Sequence, residues 1–188
     1  MKLTKAQVDY VVSKKIHLWL KEHQIKNEAG NVLDFKDHFF LYDIYNDLSQ
    51  TQVIQKAAQI GFSTLAILKT LWIAKYMNLD VIYTLPTVQD SRDFVGGKVN
   101  RIITQNPIIQ TFVADKVTVD QKQVGDNFIY YRGTWTEKAA IMVTSDLNVY
   151  DEVDRSKQEV IEQYSSRLQH SKHKMQWWFS NPSVPGNG

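Results

Sequence analysis

The segment K-A-A-Q-I-G-F-S-T, at residues 56–64, contains residue types that can bind phosphate groups. A usual phosphate-binding loop reads G-x-x-x-x-G-K-[ST], in which backbone N–H groups and the lysine contact the phosphates and the hydroxyl contacts Mg²⁺. Here Gly61 and Ser63 match the second glycine and the hydroxyl, but Phe62 replaces the lysine and Lys56 replaces the first glycine. Because such a loop curls around the phosphates, a lysine on a flexible stem can reach them from the entry side. The residues that we predict to bind a nucleotide are Lys56, Ala57, Ala58, Gln59, Ile60, Gly61, Phe62, Ser63 and Thr64, with Lys56 as the catalytic cation and Thr64 as a donor to the α-phosphate.

A group of acidic residues follows a short apolar segment in L-N-V-Y-D-E-V-D-R. In ATPases with a phosphate loop, an acid at the end of such a strand holds Mg²⁺, and an adjacent glutamate can orient and deprotonate the attacking water. We therefore predict that Ser63 and Asp151 hold Mg²⁺ and that Glu152 is the catalytic base. The alternatives are an acidic loop that caps a helix near Ser156 and, for the first segment, an exposed lysine before a helix.

The residues around the loop predict the elements that a phosphate site requires. Thr51–Gln55 has the pattern of a strand and Leu65–Tyr76 that of an apolar helix, so the loop ends at a helix N-terminus, where free N–H groups and the helix dipole favour an anion. Strand and helix patterns also alternate elsewhere, which predicts an α/β fold with a mainly parallel sheet and helices on both faces. With the loop and the acidic motif, this arrangement resembles a P-loop NTPase of the RecA/ASCE type. The further predicted helices are Lys5–His23, Phe39–Leu48, Asp90–Thr104 and Ser156–Gln169, and the further predicted strands are Val81–Leu85, Val117–Gln123, Phe128–Tyr131, Ala140–Thr144, Leu147–Tyr150 and Met175–Ser180.

Three motifs resemble the ATPase domain of a phage terminase large subunit, the motor that packages double-stranded DNA into a procapsid. They are K-A-A-Q-I-G-F-S, D-E-V-D-R, and F-S-N-P-S at residues 179–183. The lysine-first loop is the most specific of them, because it is similar to the variant of the lambda-like branch. The resemblance begins at about Phe39 and implies ATP hydrolysis with ATP and Mg²⁺ as cofactors. It also implies that Ser180 and Asn181 couple hydrolysis to movement.

Members of this family carry a polar residue or an arginine inside the phosphate loop, and Gln59 stands at that place here. An arginine that stabilises charge in the transition state must then come from elsewhere in the chain. Arg167 resembles an arginine common at that place in the family, so it is our catalytic candidate. Arg132 and Arg101 are the alternatives, and solvated surface is the alternative for all three.

The resemblance also implies a domain organisation and a set of partners. Residues 1–38 are expected to form an N-terminal helical segment, residues 39–183 the ATPase domain, and residues 184–188 the start of a linker to a nuclease domain that lies outside this chain. Nuclease activity is therefore not expected of this fragment. The implied partners are double-stranded DNA, the portal protein, the terminase small subunit and further copies of the chain in a homo-oligomeric ring, all in the host cell cytoplasm.

Composition agrees with this interpretation. The chain has 188 residues, of which 43% are hydrophobic, so it can form one domain with a substantial core. No segment has the roughly 20 apolar residues of a membrane span or the pattern of a signal peptide, so we expect a soluble, intracellular protein without membrane partners. Cysteine is absent, which excludes disulfides and thiolate chemistry. A net charge of +2 is too small to indicate nucleic-acid binding by itself, so DNA contact is implied by the resemblance alone.

Two other functions remain open at this level. The D-E-V-D motif also matches the first motor domain of a superfamily 2 helicase or translocase, although such proteins keep the lysine after the glycine. A nonenzymatic α/β domain, in which Phe62 marks an inactive phosphate loop, is the third interpretation. For the adenine ring, the aromatic segment before the first core strand offers Phe40, Tyr42 and Tyr45 as neighbours, with core packing as the alternative.

Overall fold

A computed structural model of the chain describes residues 4–36, 38–57, 59–114, 118, 120–135 and 143–181. Its centre is a six-stranded sheet whose strands are β1 (Thr51–Gln55), β2 (Val81–Leu85), β3 (Gln121–Val124), β4 (Asn127–Gly133), β5 (Leu147–Asp151) and β6 (Met175–Ser180). Their order in the sheet is β1-β6-β5-β2-β4-β3. Four of the neighbouring pairs are parallel, and only the hairpin β3–β4 is antiparallel. The predicted α/β fold with a mainly parallel sheet is confirmed.

Eight α-helices lie within the described residues. They are α1 (Lys5–Val12), α2 (Ile16–Glu22), α3 (Phe40–Asn46), α4 (Phe62–Tyr76), α5 (Val88–Phe94), α6 (Asn100–Gln105), α7 (Pro107–Gln110) and α8 (Gln158–Ser165). None of the described helices is long and apolar enough to cross a membrane.

Several predicted boundaries were wrong. The predicted helix Lys5–His23 is two helices, because Ser13 ends α1, its hydroxyl donating to the Tyr10 carbonyl at 2.7 Å, and Lys15 has an extended backbone. The predicted helix Asp90–Thr104 contains a π-helical turn at Val95–Val99, where Gly96 and Gly97 weaken the regular ladder.

Two further predictions differ at their ends. The predicted helix Ser156–Gln169 is shorter and continues as the 3₁₀ turn Ser166–Leu168. Of the predicted strand Ala140–Thr144, residues 140–142 lie outside the described residues, and Val143 and Thr144 are irregular.

Helices cover both faces of the sheet, as the alternation of buried side chains along the strands requires. On β2, Val81 and Tyr83 belong to the large core that contains α4, whereas Ile82 belongs to a smaller core on the other face. That smaller core also contains Val160, Ile161 and Tyr164 of α8. The central strands are therefore apolar on both faces, which is why they read as continuous hydrophobic runs in the sequence.

Helix α4 follows the predicted phosphate loop and is buried along most of its length. It carries a lysine, Lys69, that has no exposed surface. Its Nζ donates to the Ile44 carbonyl at 2.7 Å and to Gln52 Oε1 at 3.3 Å, and it lies 4.1 Å from the ring centroid of Trp177. Burial lowers the pKa of Lys69 to about 7, with Asp47 acting in the opposite direction. Lys69 thus joins α3 and β1 to α4 through hydrogen bonds. Its amine is removed from water, which lowers the stability of the fold when the amine is charged.

This buried lysine predicts a pH dependence of stability. In the unfolded chain an amine has a pKa near 10.5, so between pH 7 and about pH 9 the unfolded state binds more protons than the folded state. The free energy of unfolding of the wild type should therefore rise by about 2 kcal/mol over this interval. Lys69→Met should remove this rise, and Lys75→Met, a control on the same helix, should keep it. Denaturant unfolding at several pH values measures both, and an unchanged slope in Lys69→Met would contradict the assignment.

A second prediction concerns the contact between β4 and α5. A Cβ on Gly133 would lie 2.5 Å from the Val88 backbone nitrogen and 2.8 Å from the Thr87 carbonyl carbon, so the start of α5 would have to move. Gly133→Ala should lower the free energy of unfolding by about 1–3 kcal/mol. The control is Gly97→Ala, because a Cβ there meets nothing within 4 Å. Equal stability of the two variants in denaturant unfolding would show that the start of α5 can move freely.

Candidate functional site

The predicted phosphate loop runs from the end of β1 to the start of α4. The Lys56 backbone N–H donates to the Ser180 carbonyl at 2.9 Å, which ties the beginning of the loop to β6. Gly61 adopts φ +77°, a left-handed conformation that strains other residues. Helix α4 begins at Phe62 rather than at Leu65, so Ser63 and Thr64 lie inside its first turn. No side chain caps this helix start within the described residues, which leaves its N–H groups directed at the neighbouring cavity.

A cavity of about 690 Å³ lies against this helix start. This volume is in the range of sites for small molecules and cofactors. From the predicted site it is lined by Lys56, Ala57, Gln59, Ile60, Gly61, Phe62, Ser63, Thr64, Glu152 and Asn181. Ala58 lies outside the described residues. The structure therefore brings together residues of the loop, of the acidic motif and of the coupling segment around one cavity.

The centre of the site is a buried group of one amine and two carboxylates. Lys56 Nζ lies 2.5 Å from Asp151 Oδ1 and 3.0 Å from Glu152 Oε1. Lys56 and Asp151 are 6% and 2% exposed, whereas Glu152 is 29% exposed at the cavity wall. Burial alone would lower the pKa of Lys56, but the two carboxylates raise it above its ordinary value, so the amine is charged at neutral pH. Lys56 and Asp151 are 95 positions apart in the chain and in direct contact in the fold.

The backbone after β5 directs both acids toward Lys56. Glu152 adopts φ 55° and ψ 49°, a left-handed conformation that is uncommon for a side chain of this size. The chain therefore turns sharply after Asp151, and the Glu152 N–H donates to Asp151 Oδ1 at 3.0 Å. Strained backbone of this kind is found where a functional side chain is held in place.

Sequence reasoning missed two residues that contact the predicted site. The Tyr83 hydroxyl, on β2, donates to Asp151 Oδ2 at 2.7 Å. Glu28, in the N-terminal segment, accepts a 2.8 Å hydrogen bond from the Thr64 hydroxyl and lines the cavity. Neither residue belongs to a recognisable motif. A tyrosine in an apolar strand and a glutamate in a polar loop are common, so no sequence pattern marked them as site residues.

Only one of the three predicted adenine neighbours lines the cavity. Tyr45 lines the cavity, but Phe40 and Tyr42 are exposed and are not among the residues that line it. The Tyr42 ring instead lies 4.7 Å from the ring of His17, on α2. The apolar side chains that line one end of the cavity are Val32, Leu33, Phe35, Leu41 and Tyr45. A flat ring placed there would contact the N-terminal segment as well as α3.

The arginine candidates lie outside this cavity. Arg167, on the 3₁₀ turn after α8, lines neither of the two cavities described here, and its Nε is buried with no hydrogen-bond partner among the described residues. Arg132 donates to the carbonyls of Asp120 and Tyr131. Arg101 lines a second cleft of about 560 Å³, which also contains Glu152, Lys98 and Arg155. Of the three predicted arginines, only Arg101 shares a cleft with the acidic motif.

Of the two predicted coupling residues, Ser180 contacts the acidic motif from β6. Ser180 Oγ donates to Asp154 Oδ1 at 2.8 Å and accepts from the Asp154 N–H at 3.1 Å, and Asn181 lines the cavity. Pro182 and Ser183 of the predicted segment lie outside the described residues. Ser180 therefore links β6 to the turn after β5.

The chemistry of the site suits Mg²⁺ bound together with a nucleotide. Asp151 and Ser63 offer oxygen atoms, the ligands that Mg²⁺ prefers, and one or two protein oxygens are usual when phosphates complete its shell. The Lys56 amine lies between the two carboxylates, so their charges favour a cation at this place. The described residues contain no cluster of three or more His, Asp or Glu side chains that could hold a metal without such help. The residues present therefore fit a metal that arrives with phosphates.

Comparisons with known proteins concern the fold and the family of this chain. Among solved structures, the large terminase ATPase domain of Thermus phage P74-26 has a TM-score of 0.63 at 12% sequence identity, over 77% of this chain and 64% of that chain. The HK97 bacteriophage large terminase has a TM-score of 0.56 at 12% identity, over 96% of this chain and 33% of that chain. The large terminase of a thermophilic bacteriophage in complex with ADP has a TM-score of 0.54 at 12% identity, over 79% of this chain and 36% of that chain. At these identities the likeness shows a shared fold.

This chain spans 64% of the P74-26 domain and about a third of the HK97 protein. No curated protein sequence is similar enough to count as a relative. The family model of the phage terminase large subunit gpA ATPase domain, however, matches residues 41–186. The chain therefore belongs to the family of phage terminase large subunit ATPase domains, and its fold is that of a P-loop NTPase.

Proposed function

We propose that this chain is the motor domain of a viral terminase large subunit and hydrolyses ATP with Mg²⁺ to drive double-stranded DNA into a procapsid. The observation that carries the proposal is the contact of Lys56 with Asp151 and Glu152 beside the uncapped start of α4. Lys56, the proposed phosphate-binding amine, and Glu152, the proposed base, line one cavity, and Asp151, the proposed metal-binding acid, contacts Lys56 directly behind its wall. Family membership supplies the link to DNA packaging.

In this proposal Lys56 changes partners when the nucleotide binds. In the structure the amine is paired with the carboxylates of Asp151 and Glu152, whose oxygen atoms stand in for phosphate oxygens. A triphosphate at the start of α4 takes over Lys56 and the N–H groups of the first helical turn. The Thr64 hydroxyl is released from Glu28 and donates to the α-phosphate. The lysine-first loop is thus a working variant, in which the cation reaches the phosphates from the β1 end.

Asp151 and Ser63 would hold Mg²⁺, and Glu152 would act as the base. Once Lys56 has moved to the phosphates, the Glu152 carboxylate is free to accept a hydrogen bond from a water in line with the γ-phosphorus and to take its proton. When bound, Mg²⁺ neutralises phosphate charge and thereby favours attack on the γ-phosphoryl group. Asn181, at the cavity wall, would detect the loss of that group, and Ser180 would pass the change to Asp154.

Three sources can supply the arginine that stabilises charge in the transition state. Arg167 would need to move to reach the cavity, whereas Arg101 already lines the cleft that shares Glu152. An arginine from a neighbouring subunit of a homo-oligomeric ring is the third source. Double-stranded DNA, the portal protein and the terminase small subunit are the proposed partners, in the host cell cytoplasm, and the whole assembly would include parts beyond this chain.

Two alternatives have weaker support. A superfamily 2 helicase domain is disfavoured by the family match. A nonenzymatic nucleotide-binding domain is less well supported, because it would use the Lys56 amine but would not need the partly exposed Glu152 carboxylate beside it.

The first test of the proposal is the affinity for ATP in the presence of Mg²⁺. Lys56→Ala removes the proposed phosphate contact and should weaken binding at least about tenfold in calorimetry, the loss typical of a charge-assisted contact. Lys21→Ala, an exposed lysine on α2, should bind like the wild type. Equal affinity of Lys56→Ala and the wild type for ATP would contradict the displaced-lysine loop. ATP hydrolysis by the wild type that Lys56→Ala lacks would exclude the nonenzymatic alternative.

A second test uses ATP without Mg²⁺. Under these conditions the wild type should bind weakly, because releasing Lys56 leaves two carboxylates near the phosphates. Asp151→Asn removes one negative charge and one partner of Lys56, so its affinity for metal-free ATP should rise about tenfold. The same variant should gain little from added Mg²⁺. Calorimetry in the presence of a chelator measures the affinity for metal-free ATP. A lower affinity in Asp151→Asn than in the wild type would show that Asp151 does not compete with phosphate for Lys56.

A further inference from the structure

The carboxylate of Asp151 has different partners on its two oxygen atoms. Oδ1 accepts from Lys56 Nζ at 2.5 Å and from the Glu152 N–H at 3.0 Å. Oδ2 accepts from the Tyr83 hydroxyl at 2.7 Å. Only the Lys56 contact is given up when a nucleotide takes that amine. The oxygen that becomes available is then Oδ1, while Oδ2 stays tied to β2.

The Tyr83 ring is held firmly, so its hydroxyl has one direction. Tyr83 is fully buried on β2, and its ring stacks on Phe94 at 5.1 Å with an angle of 23° between the planes. Tyr131 packs on it at 5.8 Å. The tyrosine hydroxyl is a neutral donor, and here it donates to the Asp151 carboxylate.

We propose that Tyr83 is a positioning residue for the metal-binding carboxylate, holding Asp151 Oδ2 so that Oδ1 faces the cavity when Lys56 leaves. The inference rests on the proposed function, since it assigns a role within the same site. Tyr83 acts through Asp151 and does not touch the nucleotide or the metal.

A neutral donor suits this role better than a second cation. Asp151 is 2% exposed, so its buried charge needs hydrogen-bond partners that offset the loss of water. If Lys56 were the only partner, its movement to a phosphate would leave the carboxylate buried without one. Tyr83 and the Glu152 N–H keep two hydrogen bonds on the carboxylate throughout this exchange. Because neither donor carries a full charge, the negative charge of Asp151 remains available to the metal.

The test is Tyr83→Phe, which keeps the packed ring and deletes only the hydroxyl. Its affinity for ATP in the presence of Mg²⁺, measured by calorimetry, should fall about tenfold, because a carboxylate that Tyr83 no longer holds must be ordered when the metal and the nucleotide bind. Tyr131→Phe is a matched control on the neighbouring strand, because the Tyr131 hydroxyl is buried without a hydrogen-bond partner among the described residues. That variant should bind like the wild type.

A double-mutant cycle with Asp151→Asn separates positioning from packing. If Tyr83 acts through the carboxylate, Tyr83→Phe should change the affinity less than about twofold in the Asp151→Asn background. The same loss in both backgrounds, or equal binding by Tyr83→Phe and Tyr131→Phe, would overturn the inference and leave the proposed function intact. A Tyr83→Phe chain that fails to fold while Tyr131→Phe folds would also overturn it. Absence of nucleotide binding by the folded wild type would overturn the proposed function and this inference with it.

Discussion

The buried contact of Lys56 with Asp151 and Glu152 is the interaction on which the site depends. The strand order sets its geometry: β6 lies between β1, which ends before Lys56, and β5, which ends at Asp151. Two strand spacings separate the backbones by about 10 Å, so a long side chain is needed to close the gap. Lysine has that length, and its Nζ reaches Asp151 at 2.5 Å.

A cluster of this kind contributes little net stability to the fold. Burying one amine and one carboxylate costs several kcal/mol per ion before their attraction is counted, and apolar replacements of such pairs are often neutral or stabilising. The same fold contains a buried amine at Lys69, whose partners are two neutral oxygens and an aromatic face. Lys69 joins helices to a strand, whereas Lys56 lines a cavity, and we propose that it exchanges its partners there. Position relative to the cavity, not burial, distinguishes the two lysines.

The fold offers a physical reason for the displaced cation that we propose. The residue after Gly61 is Phe62, which is buried, and its ring meets the edge of Phe179 on β6 at 4.7 Å. This position therefore packs the start of α4 onto the central sheet and cannot hold an exposed amine as well. Lys56 Nζ lies 5.8 Å from the Phe62 ring, within reach of a weak cation–π contact. The aromatic residue and the displaced lysine thus form one structural unit at the entrance to the helix.

The sequence by itself determined the elements and the order of the motifs. The strands around the site were predicted at or within one residue of their observed bounds, because alternating or continuous apolar runs between turn residues are local signals. Local patterns also predicted α4, although its start at Phe62 depends on the conformation of Gly61. The fold class and the family followed from the motifs in their order and were confirmed.

Only the tertiary structure decided which side chains contact each other. Tyr83 and Glu28 join the site through contacts with Asp151 and Thr64, 68 and 36 residues away in the chain. Arg167 lies away from the cavity for the same reason, since the packing of the turn after α8 fixes its direction. Such contacts depend on how strands align across a sheet and how loops fold back over it. Short-range sequence patterns record the period of an element, but they carry no information on these distances.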